Sequence, residues 1–340
     1  SCVIEWPSER RTCLAQQFGH FFSDLQQQCI MGWLQYMEGA LVTSRRHWSG
    51  ATWIWWSTMV VISIFNVAVF LGICVRSRYH PSVESLHTKA YQAKMKWLAF
   101  PFILECAWRS IFPSVYNSRQ TFFDTPLNSI MLDRTLAAIG EVTWMCQVAL
   151  AMAFVNRQLG LGLSAVLVVP VFIVLLSVAG ETFSYLGVAT TSCFYEVLEE
   201  SCWTLIYMLM MPAGFHLAQQ CKHLPWARAY SAKIFSRALI AQGFIMLPYQ
   251  FLSYLPMYYQ RWREDENAHI RYFSILHGLR DATTRREPTR DWQKWQSEWL
   301  WMTVYFSLAA WTSLLLLAAP RIHGPLESCQ TQGANDIEKE

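Results

Sequence analysis

The chain has 340 residues, of which 53% are hydrophobic and 15% charged, and its formal net charge at pH 7 is +3. So much apolar surface excludes an ordinary soluble domain, and the small net charge, without a basic stripe, gives no support for nucleic-acid binding. Several apolar runs of about 18 residues or more instead predict an all-α polytopic membrane bundle of six or seven transmembrane helices, with the lipid bilayer as a partner.

Residues 1–50 are interpreted as an N-terminal extension that does not cross the membrane. Within residues 19–42, apolar side chains such as Phe22, Leu25 and Cys29 recur at three- and four-residue steps between polar ones. This spacing predicts an amphipathic helix. The helix is expected to lie in the membrane interface or on a partner, or to pack over the spans of its own chain.

Residues 51–260 are predicted to form a transmembrane bundle. Spans are expected near 51–75, 97–115, 136–156, 162–184, 195–218 and 236–258. The 97–115 segment is short, and whether it crosses decides between six and seven spans. A small helical extramembrane insertion over 261–296, a final transmembrane helix over 297–320 and a polar tail over 321–340 complete the predicted organisation.

The apolar segments carry ionisable side chains, and these form the candidate functional site. A charge that faces lipid is costly, so we expect these side chains to turn toward one another, toward partner donors or toward water. The predicted intramembrane polar cluster consists of Glu105, Arg109, Arg134, Glu141, Glu181, Glu196, Glu199, Glu200, His216 and Arg237.

Helical spacing predicts one ion pair within this set. Glu105 and Arg109 are one turn apart, where they can pair. Pairing inside the membrane neutralises much of the cost of either charge alone. The pair is open to a structural interpretation, in which it holds helices together, and to a functional one, in which it gates a path. Arg134 and Glu141 are two turns apart on one helix face, and that face is expected to point inward.

The helix near 195–218 begins with three glutamates. Glu196 and Glu200 share one face, and Glu199 points elsewhere. Like charges at this spacing repel, so at least one of the first two is expected to be protonated or partnered.

Motifs of known chemistry are absent from the sequence: there is no Walker loop, HExxH, GxSxG or EF-hand pattern. The ten cysteines form no CxxC motif and predict neither disulfides nor a metal cluster. Only His216 lies within a predicted span, so a bis-histidine haem has little support. No cofactor is predicted, bound lipids are expected, and pigment or haem binding stays open.

Three functions fit these patterns. The first is a non-catalytic accessory subunit of a hetero-oligomeric membrane complex in a respiratory or photosynthetic organelle inner membrane, mitochondrial in preference to thylakoid. The second is a channel, transporter or proton-conducting protein in which the glutamates line a polar path. The third, least favoured because no catalytic motif occurs, is an integral-membrane enzyme that acts on lipid through glutamate and His216.

Overall fold

The computed structural model describes residues 48–79, 86–158, 164–222 and 226–318. The predicted amphipathic helix within 1–50 and the polar tail over 321–340 lie outside this part of the chain.

The described chain begins with long helices joined by short connections. They are α1 (Trp48–Tyr79), α2 (Leu86–Ile111), α3 (Ile130–Gln158), α4 (Ser164–Thr190) and α5 (Cys193–Cys221). Next comes α6 (Trp226–Tyr249), which continues through a π-helical turn (Gln250–Tyr254) into α7 (Leu255–Asn267). Each helix packs against the next along the chain, so consecutive helices alternate in direction.

A layer of short elements follows α7. It contains α8 (Ile275–Thr284) and α9 (Trp292–Trp295). The last rod of the bundle comprises α10 (Trp299–Thr303), a second π-helical turn (Val304–Ala309) and α11 (Ala310–Ala318).

The predicted all-α membrane bundle is confirmed. Six helical stretches of the described chain are long and apolar enough to cross a membrane: Gly50–Arg76, Ile130–Arg157, Val168–Thr190, Cys193–Cys221, Tyr230–Asn267 and Trp299–Leu317. The helix α2 is not among them, because Lys89, Lys94 and Lys96 join Glu105 and Arg109 in its sequence. It nevertheless packs inside the bundle, against α1, α3 and α11.

One end of the bundle, which we call the loop end, carries residues 112–129, 191–192 and 268–298. Here β1 (Ser114–Val115) pairs antiparallel with β2 (Gln120–Thr121), and β2 pairs parallel with β3 (Glu287–Pro288). The small sheet therefore joins two loops that are far apart in sequence. The predicted insertion over 261–296 differs in one respect, since α7 continues as a helix to Asn267 before this layer begins.

Residues 112–129 and 268–298 together form what we call the loop-end layer. Arg119 attaches this layer to the bundle. Its Nε donates to Asp281 Oδ2 at 2.8 Å and its Nη2 to the Val188 carbonyl at 2.9 Å. The backbone of Arg119 is left-handed, with φ of 53°, an uncommon conformation for a residue with a side chain. The buried guanidinium therefore ties α8 and the end of α4 to the β1–β2 turn.

Indole rings attach the same layer to α1. The Trp55 ring lies 5.4 Å from that of Trp295 and 6.4 Å from that of Trp292, measured between centroids. All three side chains are buried, and Trp55 Nε1 donates to Thr303 Oγ1 at 2.9 Å. Aromatic pairs at this separation attract one another beyond the area they bury.

The half of the bundle away from the loop end has an apolar interior. Phe102 stacks on Trp144 with ring centroids 5.0 Å apart, and Tyr91 stacks on Phe154 at 3.9 Å. In lipid, such contacts hold helices together through close packing, because lipid tails are as apolar as the side chains.

Candidate functional site

The ionisable residues converge in the half of the bundle nearest the loop end. Four helices contribute: α2 near its end, α3 and α5 near their beginnings, and α4 nine residues before its end. We call the set the charge cluster. Its members are Glu105, Arg109, Asp133, Arg134, Glu141, Glu181, Glu196, Glu199 and Glu200.

Arg109 organises the side of the cluster formed by α2 and α3. Its Nη1 lies 3.0 Å from Glu105 Oε1 and 3.7 Å from Glu141 Oε1, and its Nε lies 3.3 Å from Asp133 Oδ1. Ser114 Oγ donates to the other oxygen of Asp133 at 2.7 Å. The α2 pair expected from helical spacing is therefore in contact, with two further carboxylates around the same guanidinium.

Arg134 organises the side formed by α3, α4 and α5. Its Nη2 donates to Glu181 Oε2 and lies 3.7 Å from Glu141 Oε2, and its Nη1 lies 3.7 Å from Glu199 Oε1. The α3 face that carries Arg134 and Glu141 was expected to point inward, and both side chains are buried and in contact with each other. Glu141 faces both arginines and joins the two sides of the cluster.

Aromatic rings cover the two guanidinium groups. Arg109 Nη2 donates to Tyr116 Oη at 2.9 Å, and the Tyr116 ring centroid lies 5.7 Å from Cζ of both Arg109 and Arg134. From the last rod, the rings of Phe306 and Tyr305 lie 4.5 and 5.5 Å from Arg109 Cζ. Cation–π attraction of this kind strengthens where water is excluded.

Tyr116 belongs to the loop-end layer, and burial raises its pKa well above the ordinary value. The phenol therefore stays protonated and keeps its hydrogen for donation.

Glu196 and Glu200 lie at the α5 end of the cluster, away from the arginines. Gln250 Nε2, from the first π-helical turn, donates to Glu200 Oε2 at 2.8 Å. In the described part of the chain, no arginine or lysine forms an ion pair with either glutamate. Glu199 does point elsewhere, since it turns inward to Arg134.

The charge cluster has a large excess of acid. Seven carboxyl groups surround two guanidinium groups, and all of them are buried except Glu200, which is half-buried. If every carboxyl were ionised, five negative charges would have no counter-charge in the cluster. An unpaired charge in a protein interior is strongly unfavourable, so the cluster must take up protons or cations.

Two glycines make room for glutamate side chains. A Cβ added at Gly140 would lie 2.8 Å from Glu105 Cβ, and one added at Gly187 would lie 2.7 Å from Glu196 Oε1. Both contacts are closer than van der Waals packing allows. Because Cβ is fixed to the backbone, helix α3 approaches Glu105 this closely only at a glycine, whereas at Gly187 the carboxylate of Glu196 would have to turn away.

Three of the carboxylates have the spacing of metal ligands. One oxygen each from Glu141, Glu181 and Glu199 lies within 4.8 Å of the others. Arg134 already contacts all three groups, so a guanidinium supplies the positive charge there.

The structure does not bring two of the predicted residues to the cluster. His216 lies 16 residues after Glu200 in α5, a separation of about 24 Å along a helix. Arg237 lies in α6, 13 residues before Gln250, and its side chain is exposed. This separation is about 20 Å along the helix. Both belong to the opposite half of the bundle.

Sequence reasoning missed three residues at the cluster. Asp133 had a signal, since it is a charged residue beside Arg134 in an otherwise apolar helix. Gln250 had a weaker one, as a polar residue two positions after Pro248. Tyr116 had none, because it reaches the cluster from a loop.

Comparisons with protein-family models, with curated proteins and with solved structures gave no match to this chain. The functional argument therefore starts from the charge cluster.

Proposed function

We propose that this chain conducts protons across a membrane, and that the charge cluster is its proton-binding site. The observation that carries the proposal is the excess of five carboxyl groups over arginines in a lipid-screened interior. Intramembrane carboxylates that face a protein interior commonly belong to proton relays.

The contacts within the cluster suit proton exchange. Glu141 contacts both arginines and shares Arg134 with Glu181, so the two carboxyl groups compete for one guanidinium and a proton on either group changes that balance. Glu196 and Glu200 have no ion pair among the described residues, so no guanidinium or ammonium group in direct contact stabilises their ionised forms. The protonation of these two glutamates therefore depends most on which groups contact them and on whether water reaches them.

The position of the cluster supports a carrier over an open pore. Between the charge cluster and the end of the bundle opposite the loop end, the interior is packed with apolar side chains such as Met145, Ile206 and Met210, all fully buried. Gln147 and Ser313 form an isolated polar bridge there, with Ser313 Oγ donating to Gln147 Oε1 at 2.7 Å. Passage through this half requires a conformational change, as in alternating access.

The two π-helical turns give places for such a change. One contributes Gln250 to the cluster, and the other places Tyr305 and Phe306 beside Arg109. Single π-helical turns within α-helices are frequent at functional sites, because their wider turns leave backbone groups poorly paired.

An accessory-subunit role predicts a different interior. Ion pairs that only specify helix packing need as many positive as negative groups, and the third arginine expected to balance the glutamates, Arg237, is exposed and distant. The charge excess therefore favours the transport proposal. We retain an organelle inner membrane, mitochondrial in preference to thylakoid, within the proposal, because a proton site has a use where a proton gradient exists.

The test is proton flux in liposomes. The full chain is reconstituted with a pH-sensitive dye inside, and a potassium diffusion potential drives protons inward. We expect proton flux in the wild type. The flux should fall by about tenfold or more in Glu196→Gln and in Glu141→Gln, because each substitution removes one group that can bind and release a proton. The matched control is Glu287→Gln, which changes an exposed carboxylate of the loop-end layer.

Folding is checked in the same preparations. Wild-type flux in folded Glu196→Gln and Glu141→Gln, or no flux above empty liposomes in the wild type, would overturn the proposal. The Glu196 variant keeps the test sharp if Glu141→Gln fails to fold, because no described ion pair is lost with it.

A further inference from the structure

A groove at the loop end lies outside the charge cluster. It forms where the end of α4, the beginning of α5 and the end of α7 meet, and its volume is about 350 Å³. This is the size range of sites for small molecules. Among the described residues, its lining includes the four aromatic rings of Phe194, Tyr195, Trp262 and Tyr272 together with the carboxylate of Glu266. We call it the aromatic groove.

The groove has the chemistry of a cation site. Its lining includes one carboxylate and no basic side chain among the residues described. The Phe194 and Trp262 rings lie 5.2 Å apart between centroids, so they contact each other across α5 and α7 and line the groove together. Aromatic faces attract cations, and groups of such rings recognise quaternary ammonium ions.

The polar groups of the groove are held in place. Tyr272 Oη donates to Glu266 Oε1 at 3.1 Å, which fixes the carboxylate at the groove edge. The carbonyl ends of α4 and α7 lie here, and the C-terminal end of a helix favours positive charge. The opposing N-terminus of α5 is capped by Ser192, whose Oγ accepts from the Phe194 backbone N–H at 3.4 Å.

The neighbouring backbone supports a built site. Thr191, in the α4–α5 connection, has φ of 61°, rare for a β-branched residue. The conformation is held by Thr191 N–H donating to the Gly187 carbonyl at 2.8 Å and by Phe273 N–H donating to the Thr190 carbonyl at 3.0 Å. The layer after α7 is therefore bonded to the groove floor.

From this geometry we propose that the aromatic groove binds an organic cation of the quaternary or alkylated ammonium class. The aromatic rings contact the alkyl groups, and Glu266 balances the charge from the rim. A hydrated metal ion is a poor fit, because Glu266 is the one carboxylate among the described lining residues and the other side-chain oxygens there belong to neutral hydroxyl groups. The proposal stands whether or not the charge cluster moves protons.

The test is direct binding to the full chain purified in a maltoside detergent. The probes are choline and its uncharged isostere 3,3-dimethylbutanol, measured by calorimetry and by ligand-observed NMR. We expect choline to bind and the alcohol to bind at least about tenfold more weakly, since the two differ in charge and hardly in shape. Equal affinity, or no binding of choline, would overturn the proposal.

Two variants locate the site. Trp262→Leu should weaken choline binding about 3- to 30-fold, the range of one cation–π contact. Glu266→Gln, which keeps the shape of an exposed side chain, should weaken it by up to about 5-fold, as expected for one solvent-exposed charge. The matched control is Glu264→Gln, two residues away on the same helix, where the carboxylate accepts from Gln260 outside the groove.

A third arm distinguishes the source of the cation. Choline is titrated into the chain in nanodiscs of phosphatidylglycerol or of phosphatidylcholine. Weaker binding only in phosphatidylcholine identifies a lipid headgroup as the occupant, and equal binding identifies a free organic cation. Binding that is unchanged in both Trp262→Leu and Glu266→Gln would place choline elsewhere and refute the assignment.

Discussion

Arg134 is the residue on which the packing of three helices most depends. It extends from α3 and contacts carboxylates of α3, α4 and α5. Removing one partner of a buried ion pair leaves the others without compensation, and that loss exceeds what the pair itself contributed.

We therefore expect Arg134→Met to lower the free energy of unfolding by about 3–5 kcal/mol. The measurement is a denaturant titration in mixed micelles, followed by circular dichroism. Arg285→Met is the control, because Arg285 pairs with Glu287 on the surface, where about 0–1 kcal/mol is expected. Equal effects of the two substitutions would show that the buried contacts do not stabilise the bundle.

Gly140 makes a second prediction at this scale. Its added Cβ would meet Glu105 Cβ at 2.8 Å, an atom close to the backbone that cannot swing away. Gly140→Ala should cost about 1–3 kcal/mol through overpacking. Gly72→Ala, where nothing lies within 4 Å, should instead be neutral or stabilise by up to about 1 kcal/mol. The same titration checks both signs, and a stabilised Gly140→Ala would contradict the close approach of α3 to Glu105.

At the scale of elements, α8 docks on the end of α4 through a glycine. A Cβ added at Gly278 would lie 1.4 Å from the Ala189 carbonyl oxygen. Neither backbone can move far enough locally to relieve this overlap. Gly278→Ala should therefore displace α8. We expect faster proteolysis within residues 268–298, while the helical content of the bundle is unchanged.

Thr283→Ala is the control on the same helix. Thr283 is exposed, and its hydroxyl bonds only to the Leu279 carbonyl of its own helix. Its proteolysis rate should match that of the wild type. Equal protection of Gly278→Ala would mean that α8 does not need this contact.

The sequence predicts contacts within one helix better than contacts between helices. The contact of Glu105 with Arg109 follows from turn spacing and is found in the structure. For Arg134 and Glu141, the spacing predicts only a shared inward face, and the structure adds their contact. The meeting of Arg134 with Glu181 depends on how α3 faces α4, which periodicity does not encode.

The π-helical turns are the other feature that sequence reasoning missed. Each wide turn changes which face later residues occupy, so a regular 3.6-residue pattern misplaces them. Gln250 reaches Glu200 from such a turn. Arg237 was expected beside the glutamates on charge alone, but its place about three turns along α6 keeps it in the other half of the bundle.

Over the whole molecule, charge balance distinguishes two kinds of glutamate. Glu181 has an arginine partner, whereas Glu200 has only the Gln250 amide. Replacing Glu181 with Gln breaks an ion pair and should cost about 3 kcal/mol. Replacing Glu200 with Gln keeps an acceptor for Gln250 and removes an unpaired charge, so stability should stay equal or rise.

Unfolding of the two variants under one set of conditions tests this contrast. A loss for Glu200→Gln as large as that for Glu181→Gln would mean that Glu200 is held as a stabilised anion. The excess of acid would then be smaller than the count of seven carboxyl groups implies.

The indole group formed by Trp55, Trp292 and Trp295 gives a circular-dichroism signal that reports the contact between α1 and the loop-end layer. Chromophores 5.4 and 6.4 Å apart share their excited states, so their transitions split into a couplet in the far ultraviolet. The contribution of this group to the couplet needs α1 and α9 together, so we expect that contribution to be lost when they separate, even if every backbone turn survives. Detachment of the loop-end layer from α1 can thus be followed over time by circular dichroism of the native chain, without a label.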